Sequence, residues 1–201
     1  MPSLIADRSV LKTAPAAEPL TLAEAKAHLR VTNSSEDTYI TTLITAARRR
    51  VEELTGRALI TQTWYLYADE WPSDDRFRLP KAPLASVTSV KYKGTSGSET
   101  TWTASGNYIV DVNPTPGEVV LAYGAAWPSS SLYPASPITV EYVAGYGASG
   151  SSVPEELRQA MLLLIAHWYE FREPVVAGAI VTAVPMAVGY LVEPYTVEWW
   201  R

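Results

Sequence analysis

Val153-Pro-Glu-Glu-Leu-Arg-Gln-Ala-Met-Leu-Leu-Leu-Ile-Ala-His-Trp-Tyr-Glu170 decides the fold, because it restores a helical period after nearly ninety residues of strand-like sequence. Pro154 suits a first helical turn, and Glu155 and Glu156 favour the positive end of the helix dipole. Leu157, Ala160, Met161, Leu164 and Trp168 then recur at helical spacing, while Leu162, Leu163 and Ile165 make the segment apolar nearly all round. A helix of that kind is sandwiched, either in its own core or between neighbouring subunits. Pro174 ends it.

Working back toward the N-terminus, two more helices are expected. Thr21-Leu-Ala-Glu24 is a capping box that opens a short helix from Leu22 to about Arg30. Asn33-Ser-Ser-Glu-Asp37 supplies capping side chains and an acidic first turn, after which Ile40, Leu43, Ile44, Ala47, Val51 and Leu54 fall on one face. Arg48 to Arg50 complement the carbonyl end of that helix, and Gly56 suits a left-handed closing residue. Between these helices and the one at 153–170, β-branched and aromatic runs are cut by turn residues. They predict six short strands: 60–67, 86–93, 100–103, 107–111, 118–123 and 138–144. Gly94-Thr-Ser-Gly97 and Asn113-Pro-Thr-Pro-Gly117 punctuate them and favour hairpins over parallel crossovers.

The fold class is therefore α+β: a small helical bundle, residues 19–58 and 152–173, interrupted by an antiparallel β-domain, residues 59–151. Residues 1–18, with Pro2, Pro15 and no period, read as an arm that orders on a partner. Residues 174–201 read as an extended C-terminal arm, since prolines at 174, 185 and 194 suit a strap better than a packed helix. That arm carries only Glu193, Glu198 and Arg201 as charges, and Tyr190, Leu191, Pro194, Tyr195, Trp199 and Trp200 are the residues expected to anchor it in another protein.

Composition narrows the function. The 201 residues are 47% hydrophobic and 18% charged, as in a folded domain with a sizeable core. No cysteine is present, which excludes disulfides, thiol nucleophiles and iron–sulfur clusters. The formal charge of −5, from 16 basic and 21 acidic residues, opposes a role in gripping nucleic-acid phosphates. Consecutive Arg48, Arg49 and Arg50 fan over different helix faces and form no phosphate-tracking stripe. Asp7, Arg8 and Lys12 break any secretory signal at the start. Val175 to Val192 is uncharged and close to the about 20 residues that span a bilayer, but Pro185, Gly178 and Gly189 argue against insertion.

Motifs for chemistry are weak. Gly145-Tyr-Gly-Ala-Ser-Gly150 spells G-x-G-x-x-G, yet no parallel strand follows the next helix, so a flexible hinge is the plainer reading. His167 and Glu170 share a helix face at a metal-site spacing without the further carboxylates such a site requires. Nucleophile-elbow, zincin and P-loop patterns are absent from the sequence. Seven tryptophans and twelve tyrosines are numerous, and Trp71, Trp127, Tyr133, Tyr190 and Tyr195 fall in expected loops or the tail, where aromatics serve interfaces or sugar binding.

Several segments in order carry a resemblance: Pro19-Leu-Thr-Leu-Ala-Glu-Ala-Lys26, the run Glu53 to Trp64, Pro83 to Tyr92, Tyr108-Ile-Val-Asp111, Leu121-Ala-Tyr-Gly124 with Trp127-Pro128, Val140 to Gly147 and Val153 to Glu170. Together they resemble the head–tail connector proteins of tailed bacteriophages and gene transfer agents, in their longer, β-inserted branch. The resemblance implies a structural virion protein without catalytic activity, cofactor or metal. It implies a homo-oligomeric ring of about a dozen subunits, bound to the portal protein, with a stopper or tail-completion protein below, and with DNA passing through the lumen unbound. It also implies ring packing by the third helix through Leu157, Met161, Leu164 and Trp168, and portal docking by the C-terminal arm. The competing readings are an aromatic-rich carbohydrate-binding or other virion-surface β-module, a membrane-anchored protein through Val175–Val192, and an enzyme using His167 and Glu170.

Overall fold

In a computed structural model, which describes residues 8–172 and 186–197, the chain divides into two compact units. One is built on Thr61–Tyr146 together with the N-terminal segment as far as Pro15, the other on Ala16–Ile60 and Gly147–Thr196. The described residues hold four α-helices and two antiparallel sheets, so the α+β expectation stands.

The β-unit contains β1 (Ser9–Thr13), β2 (Gln62–Ala68), β3 (Arg76–Arg78), β4 (Leu84–Lys93), β5 (Glu99–Trp102), β6 (Tyr108–Asp111), β7 (Glu118–Leu121) and β8 (Ile138–Ala144). A five-stranded sheet runs β1-β2-β8-β4-β5 and a three-stranded sheet β3-β7-β6, with every pairing antiparallel. β8 shows why the sheet has one dry face: Ile138, Val140, Tyr142 and Ala144 alternate inward and are at most 1% exposed. β4 bends around it through register shifts between Leu84 and Ser86 and between Val87 and Ser89.

Two strands lie outside the six expected. β3 is three residues with only Phe77 buried, too short to show a period. β1 falls in the stretch read as an arm. It pairs with β2 from Ser9–Leu66 to Thr13–Thr63, with a register shift between Leu11 and Thr13, and leaves four of its five residues exposed. Its hold is backbone pairing plus ion pairs, Arg8 with Asp69 and Lys12 with Glu141, so hydrophobic patterning could not mark it.

The loop aromatics also have an internal use. Trp71 and Trp127 stack at 5.2 Å and 9°, Trp102 lies 4.9 Å from Tyr108, and Phe77 and Tyr92 meet Trp71 edge-on. The Trp127 Nε1 donates to the Asp74 carbonyl at 2.8 Å. Trp71 and Trp127 were expected at an interface. Both are half-buried, and their ring contacts tie loop to strand in this unit.

The helical unit contains α1 (Leu22–Leu29), α2 (Asp37–Thr55), a 3₁₀ turn at Gly150–Ser152, α3 (Glu155–Glu170), α4 (Met186–Val192) and a second 3₁₀ turn at Glu193–Tyr195. Gly56 closes α2 with φ of 69°, the left-handed geometry its sequence position called for. α2 begins with Glu36 as its cap residue and has no side-chain cap bond; Asn33 instead accepts from the Ser35 amide at 3.1 Å.

Within the helical unit, Gly150 of the glycine-rich segment is closely held. A Cβ on Gly150 would come within 2.3 Å of the Pro19 carbonyl oxygen, so that glycine is required by the backbone of the α1 leader lying against it. Arg158 fastens the same place, donating from Nε to the Pro19 carbonyl at 3.1 Å and pairing with Glu24 of the α1 capping box.

Candidate assembly surfaces

Leu157, Met161 and Leu164, expected to pack α3 against a neighbouring subunit, are 0% exposed within the helical unit itself. With Ala160 and Ile165 they fill the interior beside Ile40, Ile44, Ala47 and Val51 of α2. That expectation is corrected for a simple reason: an all-round apolar helix has more than one greasy side, and the richest side goes to the chain's own core. Trp168 is half-buried, its carbonyl accepting from the Tyr39 hydroxyl at 3.3 Å. What α3 leaves partly open is the opposite side, with Leu162, Leu163 and Ala166 half-buried and Gln159 and Glu170 exposed.

A buried charge cluster underlies α2. Arg48 is only 6% exposed, and its guanidinium donates to Glu18 at 2.7 Å and to Glu52 at 2.8 Å; Glu52 in turn accepts the Leu59 amide at 3.0 Å. Burial pulls the Arg48 pKa down, but the two carboxylates outweigh it and leave the group above its ordinary value. Arg48 therefore works inside the fold, and no basic residue occupies the last turn of α2.

Where α3 ends, Glu36 gathers a second cluster. The Tyr169 hydroxyl and the Arg172 guanidinium both donate to its carboxylate, and Arg172 lies over the rings of Tyr39 and Tyr169 at 4.7 and 5.0 Å. These donors, the Tyr169 hydroxyl first, hold the Glu36 carboxyl below its usual range. A depressed folded pKa means that the contribution of this clasp is full above the unfolded value of 4.5 and fades as pH falls through the folded one. The Glu36 carboxyl resonance is therefore expected to titrate with a midpoint below 4.5, moving up to the ordinary range in Arg172→Ala/Tyr169→Phe; an unshifted midpoint in the native chain would remove the clasp.

The C-terminal anchors divide. Residues 186–195, expected as extended strap, are helical: α4 buries Val188 at 0% and Val192 at 5% and packs on α3. Tyr195 is held by its own unit, with its hydroxyl donating to Glu156 at 2.8 Å and its carbonyl accepting Arg57 Nε at 2.5 Å. Tyr190 is 72% exposed, Leu191 is half-buried and Pro194 is exposed. Trp199 and Trp200 lie outside the described residues, as does most of Val175–Val192. Prolines misled here because Pro194 sits in the first turn of a 3₁₀ segment, where its missing amide costs nothing.

The chemical candidates gain no support. His167 makes a ring contact with Phe171 at 5.2 Å, and among the described residues no group of three His, Cys, Asp or Glu side chains could hold a metal. Among the same residues no helix is long and apolar enough to cross a membrane.

Comparison with known proteins supplies a family and similar structures. Residues 18–182 match the family model for head completion protein. A chain in the neck of an empty gene transfer agent particle, computed with C6 symmetry, superposes with a TM-score of 0.79 and 29% identity over 94% of this chain and 95% of that one. A chain of the virion of a native gene transfer agent particle gives 0.78 and 30% over the same shares, and one from the native neck computed with C12 symmetry gives 0.70 and 28%. No match is found among curated proteins. The chain belongs to the head completion protein family.

Proposed function

We infer that this protein is a structural head–tail connector, one subunit of an oligomeric ring in the neck of a virion. The observation that carries it is the family match over residues 18–182 combined with near full-length superposition on neck subunits of symmetric particles. Its work is mechanical: to join a DNA-filled head to a tail and leave a passage for DNA. A net charge of −5 suits a wall that DNA slides past without binding.

The helical unit forms the ring contacts. The portal protein binds one side of the ring, and a stopper or tail-completion protein binds the other. Tyr190 and Pro194, exposed at the end of α4, supply described portal anchors, with Trp199 and Trp200 as further ones. Removing Val175–Arg201 is not a clean test of this, since it also strips Val188 and Val192 from the helical core; Tyr190→Ala with Pro194→Ala is the sharper variant.

The role is tested by quantitative mass spectrometry of DNA-filled particles sedimented from the source culture. About a dozen copies per particle, at a fixed ratio to the portal, are expected for a ring connector. Absence of the chain from such particles would falsify the assignment.

A further inference from the structure

We propose that neighbouring subunits of the ring join by seating the half-buried ridge of α3 from one copy in a groove on α2 of the next, with Glu170 meeting Arg49. The proposal rests on the connector reading and adds which surfaces meet.

The groove lies between two i, i+4 rows of α2, Thr41-Thr45-Arg49 and Thr42-Ala46-Arg50, and has a volume of about 750 Å³. Its floor and walls are small until the arginines, so a ridge of larger side chains can approach the helix closely. The ridge is Leu162-Ala166-Glu170, again at i, i+4 spacing, flanked by Leu163; the three apolar members are half-buried in the isolated subunit and gain from further cover. Ridge and groove of matching periodicity are what helix packing requires.

Charge points to the same pairing. Arg49 has no ion pair among the described residues, whereas its neighbours are committed, Arg48 to Glu18 and Glu52 and Arg50 to Glu53. Glu170 likewise has none, whereas Glu155 and Glu156 are bonded to Arg158 and Tyr195. The groove ends at Arg49, Arg50 and Glu53, the last two paired with each other, so that among the described residues Arg49 is the lining charge left to meet Glu170 at the end of the ridge.

Geometry fixes the kind of contact. Ile44, Ala47 and Val51 turn one side of α2 to the core, and Leu157, Met161 and Leu164 turn one side of α3 to it. Groove and ridge are on the sides facing away, so a subunit cannot seat its own ridge. Because ridge and groove are different surfaces, each subunit can give its ridge to one neighbour and its groove to the other, and this heterologous contact repeated with a closing rotation makes a ring. The C6 and C12 symmetry of the similar neck structures is of the cyclic type that such a contact produces.

The chain has no cysteine, so a pair of introduced thiols reports on one contact alone. Full-length Ala46→Cys, Leu162→Cys and the double variant are incorporated into particles and treated with a short bismaleimide. A ladder of multimers in the double variant only, with neither single variant linking, is the expected result. Links that stop at the dimer in the double variant show an isologous contact and overturn the proposal, as do dimers from a single variant or cross-links solely to another particle protein. Incorporation at a normal copy number without any link overturns it while leaving the connector role intact, whereas loss of the unaltered chain from particles overturns both. As a second arm that leaves the core untouched, Arg49→Glu and Glu170→Arg each reduce incorporation at least tenfold, and the two together restore it; additive loss in the double charge swap overturns the pairing.

Discussion

Leu164→Ala is expected to lower the unfolding free energy of the helical unit by about 3–4 kcal/mol. The side chain is 0% exposed in α3, as are Leu157, Met161 and Ile165, so little can move in to fill the void. Leu162→Ala, two residues away on the half-exposed side, is expected to cost about 1 kcal/mol or less. Chemical denaturation of the full-length protein, followed by far-ultraviolet circular dichroism, measures both. The contrast decides whether α3 keeps its richest apolar side for its own core: equal effects, or a larger one at Leu162, would reverse the orientation of the helix.

Arg48→Ala is expected to destabilise by about 3 kcal/mol, because it leaves Glu18 and Glu52 without their shared cation in a poorly hydrated place. The magnitude comes from the orphaned carboxylates more than from the ion pairs themselves. Pairing the Arg48→Ala change with Glu52→Gln should therefore recover part of the loss, since the new amide oxygen still accepts the Leu59 amide. A thermodynamic cycle over the four proteins reads the coupling. A double variant as weak as the sum of its parts would mean that Arg48 contributes only packing.

How much of this was legible in the sequence varies by element. The capping box at Thr21 and Glu24, the Gly56 closure, the apolar stripe of α2 and the alternation in β8 each combine a local rule with the tertiary demand, so pattern and structure agree. Arg48 carried a signal that its charge obscured: it lies four residues after Ile44 and three before Val51, within the apolar stripe. Only the positions of Glu18, from before α1, and Glu52 make burial tolerable there, and the first of these is a nonlocal fact. For α3, periodicity located the helix but could not rank its two apolar sides. β1 and α4 were hidden for opposite reasons, β1 because backbone pairing leaves no hydrophobic trace, and α4 because seven residues with Gly189 among them are poor helix formers without Val188 and Val192 to bury. The connector family itself was legible because many weakly informative segments occurred in the right order, although the surfaces by which it assembles were not.

The shift in register on β1 between Leu11 and Thr13 has a bearing on how the protein survives before it is used. A free sheet edge offers a template on which further chains can add without end, and fibre growth would compete with a contact that closes on itself. Here one edge of the five-stranded sheet is kinked by that shift and carries Lys12, and the other, β5, is only four residues long. Neither makes a good template. The five-stranded sheet therefore has two weak edges, and association between copies is steered away from open-ended strand pairing toward contacts that can close.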